Sequence, residues 1–174
     1  MTSDLPTIET LTREAFAIPA EQTLVVEEII KGGSGRRFYR VRKTGQTWSV
    51  VAMHFTLERP ENARFETATQ FLASVGVNVP KVLVSKPKSH LLWLTDLGTH
   101  DLWSSRNEDW RQVRAPLYRS ALAQVHQIHA VPVTGNPRLP SLEPPFDATL
   151  YQWEQDYFFK EFASRFSTCS ETAI

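Results

Sequence analysis

The chain has 174 residues, of which 41% are hydrophobic and 22% charged, and its 19 basic residues equal its 19 acidic residues in number. This composition allows a buried core for one domain or two small ones, and the zero net charge disfavours a broadly basic surface for nucleic acid or acidic membranes. The single Cys169 excludes a disulfide framework within the chain. The first residues lack a signal-peptide pattern and no apolar run approaches about 18 residues, so we expect a cytoplasmic protein without membrane contact.

The first third of the chain predicts a helix and three strands. Apolar residues at helical spacing indicate a helix over residues 7–18, which Pro19 ends. Residues 23–30 and 37–42 are rich in β-branched and aromatic side chains and predict two strands, with a third strand over residues 48–53 after a glycine turn. Short turns between them favour antiparallel pairing.

A second helix and two more strands complete this predicted unit. Residues 60–75 place apolar side chains every three or four positions, and Pro60 suits a first helical turn. Residues 81–84 and 91–94 predict two strands joined by a polar turn. We therefore expect an α+β fold in which a five-stranded antiparallel sheet and an internal helix form a unit over residues 1–97.

The remainder, residues 98–174, predicts helices. Residues 108–130 indicate a helix with a break or bend at Pro116, and a proline-rich connector follows. The next helix, over residues 147–166, carries aromatic side chains on more than one face, so we expect it to require cover on two sides. Without that cover, we expect self-association through residues 150–166.

A glycine-rich segment between the first two strands has the composition of a phosphate-binding hairpin. It contains Gly32, Gly33, Ser34, Gly35, Arg36 and Arg37, which we call the glycine-arginine segment. Glycine permits positive φ and a close approach to a ligand, while backbone N–H groups and guanidinium groups donate to phosphate oxygens. The alternative is an ordinary solvated turn, because Gly and Ser are common turn residues.

Four segments then occur in a characteristic order. They are Ser34–Val41 (Ser-Gly-Arg-Arg-Phe-Tyr-Arg-Val), Gly76–Leu83 (Gly-Val-Asn-Val-Pro-Lys-Val-Leu), Leu91–Gly98 (Leu-Leu-Trp-Leu-Thr-Asp-Leu-Gly) and Leu139–Asp147. Together they resemble motifs of the aminoglycoside phosphotransferase and choline kinase-like family, especially its bacterial branch of cell-wall amino-sugar kinases. The resemblance implies a protein-kinase-like small lobe, followed by a linker and the first helices of an incomplete large lobe. It also implies transfer of the γ-phosphoryl group of ATP or GTP to a hydroxyl of a sugar or aminoglycoside.

The resemblance implies roles for individual residues of a nucleotide site. The glycine-arginine segment would cover the phosphates. The third strand has Met53 near the place where generic kinases carry a lysine, so we consider Arg37 and Arg40 as the cations that hold the α- and β-phosphates. Glu66 stands where the helix glutamate belongs, although a favourable position at the helix N-terminus is an equally simple explanation.

The same resemblance places a hinge after the fifth strand. The backbone of Thr95, Asp96 and Leu97 would read the edge of the nucleotide base. Asp96 also begins an Asp-Leu-Gly triplet, but this triplet precedes the expected catalytic loop, so we do not regard it as a metal site.

The catalytic motifs of such kinases are missing from the sequence. They require an aspartate followed five positions later by an asparagine, yet none of the four asparagines has an aspartate five residues before it. We therefore expect no catalytic or metal-binding residue in this chain, Mg²⁺ only in a complete protein, and no activity of the chain alone. A non-catalytic, pseudokinase-like interaction or regulatory module is the alternative, and an RNA-binding platform is disfavoured by the zero net charge.

Overall fold

The computed structural model of the chain describes residues 5–30, 35–142 and 145–164. Over these ranges the backbone forms helices and strands in an α+β arrangement. The helices are α1 (Leu5–Ala15), α2 (Phe65–Ser74), α3 (Ala115–His129) and α4 (Ala148–Phe158). The strands are β1 (Leu24–Ile29), β2 (Arg36–Lys43), β3 (Ser49–Phe55), β4 (Val82–Lys86) and β5 (Leu91–Thr95).

The five strands form one antiparallel sheet in the order β1-β2-β3-β5-β4. This architecture confirms the fold class expected from the sequence. The third strand extends beyond its predicted end at Met53, because Phe55 continues the alternation of buried side chains on the same face. The predicted helix at residues 60–75 begins as a 3₁₀ turn over Pro60–Arg64, and regular α-helix starts at Phe65.

Helix α1 covers one face of the sheet, which we call the α1 face. Its Ile8 and Thr12 are buried against the large rings of Tyr39 and Trp93, both of which are 0% exposed. Thr12 Oγ1 accepts a hydrogen bond from Trp93 Nε1 at 2.9 Å and donates to the carbonyl oxygen of Ile8 at 2.6 Å. The indole is therefore fully buried without losing a partner for its N–H.

Helix α2 covers part of the opposite face, which we call the α2 face. Phe65 packs there against a smaller core of Met53, Phe55, Leu92 and Leu94. Strand β4 contributes to both faces, because a register irregularity between Val82 and Val84 breaks its alternation and sends these two valines to opposite cores. Both faces of the sheet are thus apolar near its centre, and the cover on the α2 face is incomplete.

Helix α3 does not have the interior break expected at Pro116. A π-helical turn over Trp110–Arg114 comes first, α3 starts at Ala115, and Pro116 lies in its first turn, where the missing N–H of proline costs no hydrogen bond. The side chain of Gln124 accepts a hydrogen bond from the backbone N–H of Asn78 at 2.7 Å, which ties α3 to the loop before β4.

The chain divides into two compact units, Met1–Pro140 and Ser141–Ile174. This division differs from the lobe boundary expected at residues 97 and 98, which remains a prediction. In the second unit, Asp147 caps α4 by accepting a hydrogen bond from the N–H of Leu150, and a π-helical turn over Phe159–Ala163 follows. Phe166 lies outside the described residues. No helix in the described ranges is both long and apolar enough to cross a membrane.

Candidate functional site

A cleft of about 450 Å³ opens on the α2 face, between the sheet and the segment that follows β5. Its sheet side consists of side chains that all point to that face: Ile29, Phe38, Arg40, Val51 and Leu94. Its other side is formed by Pro80 and by the chain from Thr95 to Asp101. The floor is apolar apart from Arg40, so the cleft offers a slot for a flat, largely apolar group with polar backbone along one edge.

Arg40 closes one end of this cleft by binding Asp96. Its Nε lies 2.7 Å from Asp96 Oδ2, its Nη2 lies 3.0 Å from Asp96 Oδ1, and Nη2 also donates to the carbonyl oxygen of Gly98 at 2.7 Å. The two side chains are 13% and 10% exposed. This bidentate pair therefore fixes the start of the segment after β5 to the middle of β2.

Asp96 is held in its charged form. Hydrogen bonds from Arg40, Ser49 Oγ and the N–H of Gly98 outweigh partial burial and lower the pKa of Asp96 to about 2. The same hydrogen bond to Asp96 raises the pKa of Arg40. Ser49 was not among the residues that the sequence analysis selected, because a serine at the start of a strand carries no distinguishing pattern.

The alternation of β2 separates the three arginines predicted to bind nucleotide. Arg36 and Arg40 share the α2 face with Phe38, whereas Arg37 shares the α1 face with the buried Tyr39. The Arg37 guanidinium lies 5.5 Å from the Tyr39 ring centroid, and its Nε lies 3.0 Å from Glu28 Oε1. Arg37 is therefore directed away from the cleft.

Arg36 lies at the other end of β2, next to Gly35. Gly35 has a φ of +68°, a conformation that glycine adopts without strain, and a Cβ placed there would lie 4.0 Å from Thr56 Oγ1. Arg36 Nε donates to Asn62 Oδ1 at 2.8 Å, and its guanidinium lies over the ring of Phe65 at 5.3 Å. Gly32, Gly33 and Ser34 lie outside the described residues.

Neither Met53 nor Glu66 lines the cleft. Met53 is 0% exposed in the core beneath α2. The Glu66 carboxylate instead accepts hydrogen bonds from Ser85 Oγ at 2.8 Å and Gln70 Nε2 at 3.3 Å, and it lines a second cavity of about 210 Å³ together with Phe55, Ser85 and Leu92. Glu66 thus links α2 to β4 and does not face the cleft.

The three residues of the expected hinge differ in what they offer to a ligand. The N–H of Thr95 donates to the carbonyl oxygen of Lys81 at 3.0 Å, so this N–H is engaged within the sheet. The carboxylate of Asp96 is engaged by Arg40. Leu97 is 71% exposed and lines the cleft together with Asp96, which leaves their backbone as the polar edge of the slot.

Asn62 was also missed by the sequence analysis. It is 1% exposed, accepts from Arg36 and donates from Nδ2 to the carbonyl oxygen of Thr56 at 2.8 Å. Its only signal in the sequence is a polar residue in the predicted first turn of a helix, a place where such residues are common. Among the described residues, no group of three or more His, Cys, Asp or Glu side chains is arranged to hold a metal ion.

Comparisons with known proteins agree with this architecture. One solved structure, from Ralstonia eutropha JMP134 and described as that of a "putative aminoglycoside phosphotransferase", is 17% identical and superimposes with a TM-score of 0.56 over 91% of this chain and 48% of its own. This likeness concerns the fold, and the chain spans about half the length of that protein. No curated protein sequence matches the chain. The phosphotransferase enzyme family APH matches residues 26–168, which is most of the chain, and the protein therefore belongs to this family.

Proposed function

We propose that the chain is the nucleotide-binding part of a small-molecule phosphotransferase that uses ATP or GTP. The observation that carries this proposal is the cleft on the α2 face, which combines an apolar floor with a polar backbone edge in a chain of the phosphotransferase family. A purine base fits such a slot because its faces are apolar and its edge carries hydrogen-bond donors and acceptors.

The proposed pose follows from the order of side chains across the sheet. The base lies between Phe38, Val51 and Leu94 on the sheet side and the chain after β5, with the backbone of Asp96 and Leu97 at its edge. The triphosphate then extends along β2 toward Gly35. In this pose, the protein contributes position and charge stabilisation, which is the main contribution of proteins to phosphoryl transfer.

We assign the acceptor to the class of sugar or aminoglycoside hydroxyls, and within that class we favour cell-wall amino sugars. The support is the ordered set of four sequence segments and the methionine at position 53, which the amino-sugar branch shares in our interpretation. The boundary between a small lobe over residues 1–97 and the start of a substrate lobe belongs to the same proposal.

A larger side chain in the cleft tests the proposed nucleotide site. We expect ATP or GTP to bind the chain in isothermal titration calorimetry, and Val51→Phe to weaken that binding at least about tenfold because the larger ring occupies the position of the base. Val25→Phe is the matched control, because Val25 lies on β1, is 39% exposed and does not line the cleft. Equal binding by the wild type and Val51→Phe would contradict this placement of the base.

We further propose that the 174-residue chain, assayed by itself, does not turn over nucleotide, because its sequence lacks the aspartate and asparagine pattern that orients the hydroxyl and the metal. Within residues 5–30, 35–142 and 145–164, no acidic cluster is arranged to hold Mg²⁺, and this proposal assigns no step to a metal. Protein-dependent release of ADP in the presence of Mg²⁺ and a panel of amino sugars would overturn this proposal.

A non-catalytic interaction module is the second candidate. The missing catalytic pattern and the buried Met53 at the expected lysine position favour it. The two candidates differ in their ligand: nucleotide binding that Val51→Phe weakens supports the first, whereas a stable protein partner together with no measurable affinity for ATP or GTP supports the second.

A further inference from the structure

We propose that Arg36, held in place by the buried Asn62, is the cation that binds the nucleotide phosphates, in the role that generic kinases give to a lysine on the third strand. This inference rests on the proposed nucleotide site and goes beyond it by selecting one of three arginines and by assigning a positioning residue that the sequence did not indicate. The ligand is the polyphosphate chain of a nucleoside di- or triphosphate.

The three candidate arginines differ in the face of the sheet to which they point. Arg37 lies on the α1 face, stacked on Tyr39 and bonded to Glu28, so the whole sheet separates it from the cleft. Arg40 lies on the correct face, but three of its hydrogen bonds go to Asp96 and Gly98, and it sits at the end of the cleft assigned to the base. Arg36 is on the same face as Arg40 and is the first residue of β2, four positions before Arg40.

The separation of Arg36 and Arg40 along β2 suits the length of a nucleotide. Arg36 and Arg40 are four residues apart on one strand, which separates their Cα atoms by about 13 Å along β2. A nucleoside triphosphate with its base beside Arg40 extends over a comparable length, so its phosphates reach the neighbourhood of Arg36. Gly35, with a positive φ and no side chain, directly precedes Arg36, so the backbone beside the proposed phosphate position carries no Cβ.

Asn62 and Phe65 hold the Arg36 side chain in place without a ligand. Arg36 uses only Nε to bond Asn62 Oδ1, and among the described residues its two terminal nitrogens have no hydrogen-bond partner. Asn62 is itself fixed by its bond to the Thr56 carbonyl, and the Phe65 ring supports the guanidinium plane. The terminal N–H groups are thus oriented in advance, and a planar fork of this kind binds phosphate oxygens in a bidentate manner.

Arg36 also connects the sheet to the following helix, as the lysine does in generic kinases. In generic kinases, a lysine on the third strand pairs with a glutamate of the following helix and so joins the sheet, the helix and the phosphates. Here the strand position is the buried Met53 and Glu66 is bonded to Ser85. The bond between Arg36 and Asn62 makes the equivalent connection, from β2 to the turn that begins α2.

The test compares ATP with adenosine, because only ATP carries phosphates. We expect Arg36→Ala to weaken ATP binding by about tenfold to a hundredfold, the effect of losing charged hydrogen bonds, while adenosine affinity stays within about twofold of the wild type. Arg37→Ala is the matched control, an adjacent arginine on the other face, and should leave both affinities unchanged. Arg36→Lys, which keeps the charge and loses the fork, should give an intermediate loss for ATP.

Two further measurements exclude a merely structural effect. Raising the salt concentration should weaken ATP binding more in the wild type than in Arg36→Ala, because screening acts on the ionic contact. Asn62→Ala should lower ATP affinity in the wild-type background but not further in Arg36→Ala, since Asn62 acts through Arg36.

The outcomes distinguish this inference from the function on which it rests. A wild-type chain that binds neither ATP nor GTP overturns the proposed function, and this inference falls with it. Wild-type binding of ATP that Arg36→Ala leaves unchanged, or that Arg37→Ala weakens equally, overturns only the assignment of Arg36. An equal loss of ATP and adenosine affinity in Arg36→Ala, with a lowered melting temperature, also overturns it, because the arginine would then be structural.

Discussion

The side chain of Asp96 connects the sheet to the segment that follows β5. Its carboxylate accepts from β2 through Arg40, from β3 through Ser49 and from the backbone of Gly98. A single side chain therefore sets the position of the backbone that forms the edge of the cleft. The charge on Asp96 is needed for this arrangement, because a neutral carboxyl group accepts these hydrogen bonds less strongly.

The lowered pKa of Asp96 predicts that the stability of the fold depends on pH. Its pKa in the folded chain, about 2, lies below the ordinary value of 3.8, so its charge stabilises the fold above the ordinary pKa and this stabilisation is lost as the pH falls toward the folded value. We expect Asp96→Asn to lower the free energy of unfolding by about 2 kcal/mol near neutral pH, and the difference from the wild type to shrink between about pH 5 and pH 2.

Urea unfolding of both proteins across this pH range measures the effect. Glu58→Gln, at an exposed position, removes one negative charge elsewhere and serves as the control. A difference between wild type and Asp96→Asn that is independent of pH would contradict the role of the charge.

The burial of Met53 predicts that a lysine introduced at this position, as in generic kinases, destabilises the fold. Met53→Lys places an ammonium group at a position that is 0% exposed among Phe55, Leu92 and Leu94. We expect a loss of stability of about 3 kcal/mol or more, because a buried charge without a partner is strongly destabilising. Met53→Leu, which keeps the volume and the apolar character, should cost less than about 1.5 kcal/mol.

Thermal and urea unfolding of the two variants distinguish these effects. A Met53→Lys variant as stable as the wild type would contradict the expected cost of burying an unpaired charge at this position.

At the scale of elements, α1 is an integral part of the sheet structure although the family match begins only at residue 26. Its attachment includes a buried polar contact between Thr12 Oγ1 and Trp93 Nε1, which apolar packing surrounds. The sequence predicts α1 from its apolar spacing, but the pattern does not show which strand receives the helix, because Trp93 lies far away along the chain.

Thr12→Val tests this attachment. Valine has a similar shape but no hydroxyl group, so Trp93 Nε1 loses its acceptor in a fully buried site, and we expect a destabilisation of about 1–3 kcal/mol. Thr7→Val, at an exposed position of the same helix, should change stability by no more than about 0.5 kcal/mol. Equal stability of the two variants in urea unfolding would show that the contact contributes nothing.

The elements also show how far the sequence predicts the site. Periodicity predicted all five strands and both helices of the sheet unit, since alternating or helical spacing of apolar residues depends on local sequence alone. It did not separate Arg36 from Arg37, because β2 has apolar residues on both faces and either register satisfies its pattern. Periodicity also does not predict that Arg40 binds Asp96, 56 residues later in the sequence, since such a contact depends on strand order.

At the scale of the whole molecule, the described part of the unit Ser141–Ile174 carries a cluster of exposed aromatic side chains. Helix α4 and the turn after it carry six aromatic side chains that are each more than half exposed: Tyr151, Trp153, Tyr157, Phe158, Phe159 and Phe162. Rings stack along this surface, with Trp153 against Tyr157 and Phe158 against Phe162. Surfaces of this kind are usually covered by other protein.

We therefore expect the chain to self-associate through this aromatic surface. Sedimentation velocity should show an average mass that rises with protein concentration, and Trp153→Gln combined with Phe162→Gln should reduce the association because it removes two rings from the surface. Trp103→Gln, which removes a 71% exposed ring from the first unit, is the control. A strictly monomeric wild type over a wide concentration range would contradict this expectation.

The strand order has a consequence for the sequence of folding events. Strands β1, β2 and β3 form two successive hairpins from local contacts. Strand β5 pairs with β3, from which α2 and β4 separate it in the sequence. The contact between Thr12 and Trp93 spans 81 residues, so it closes a long loop and depends on β5 being in place. We therefore expect α1, although it is synthesised first, to gain its buried contacts late, after the meander of β1 to β3 has formed.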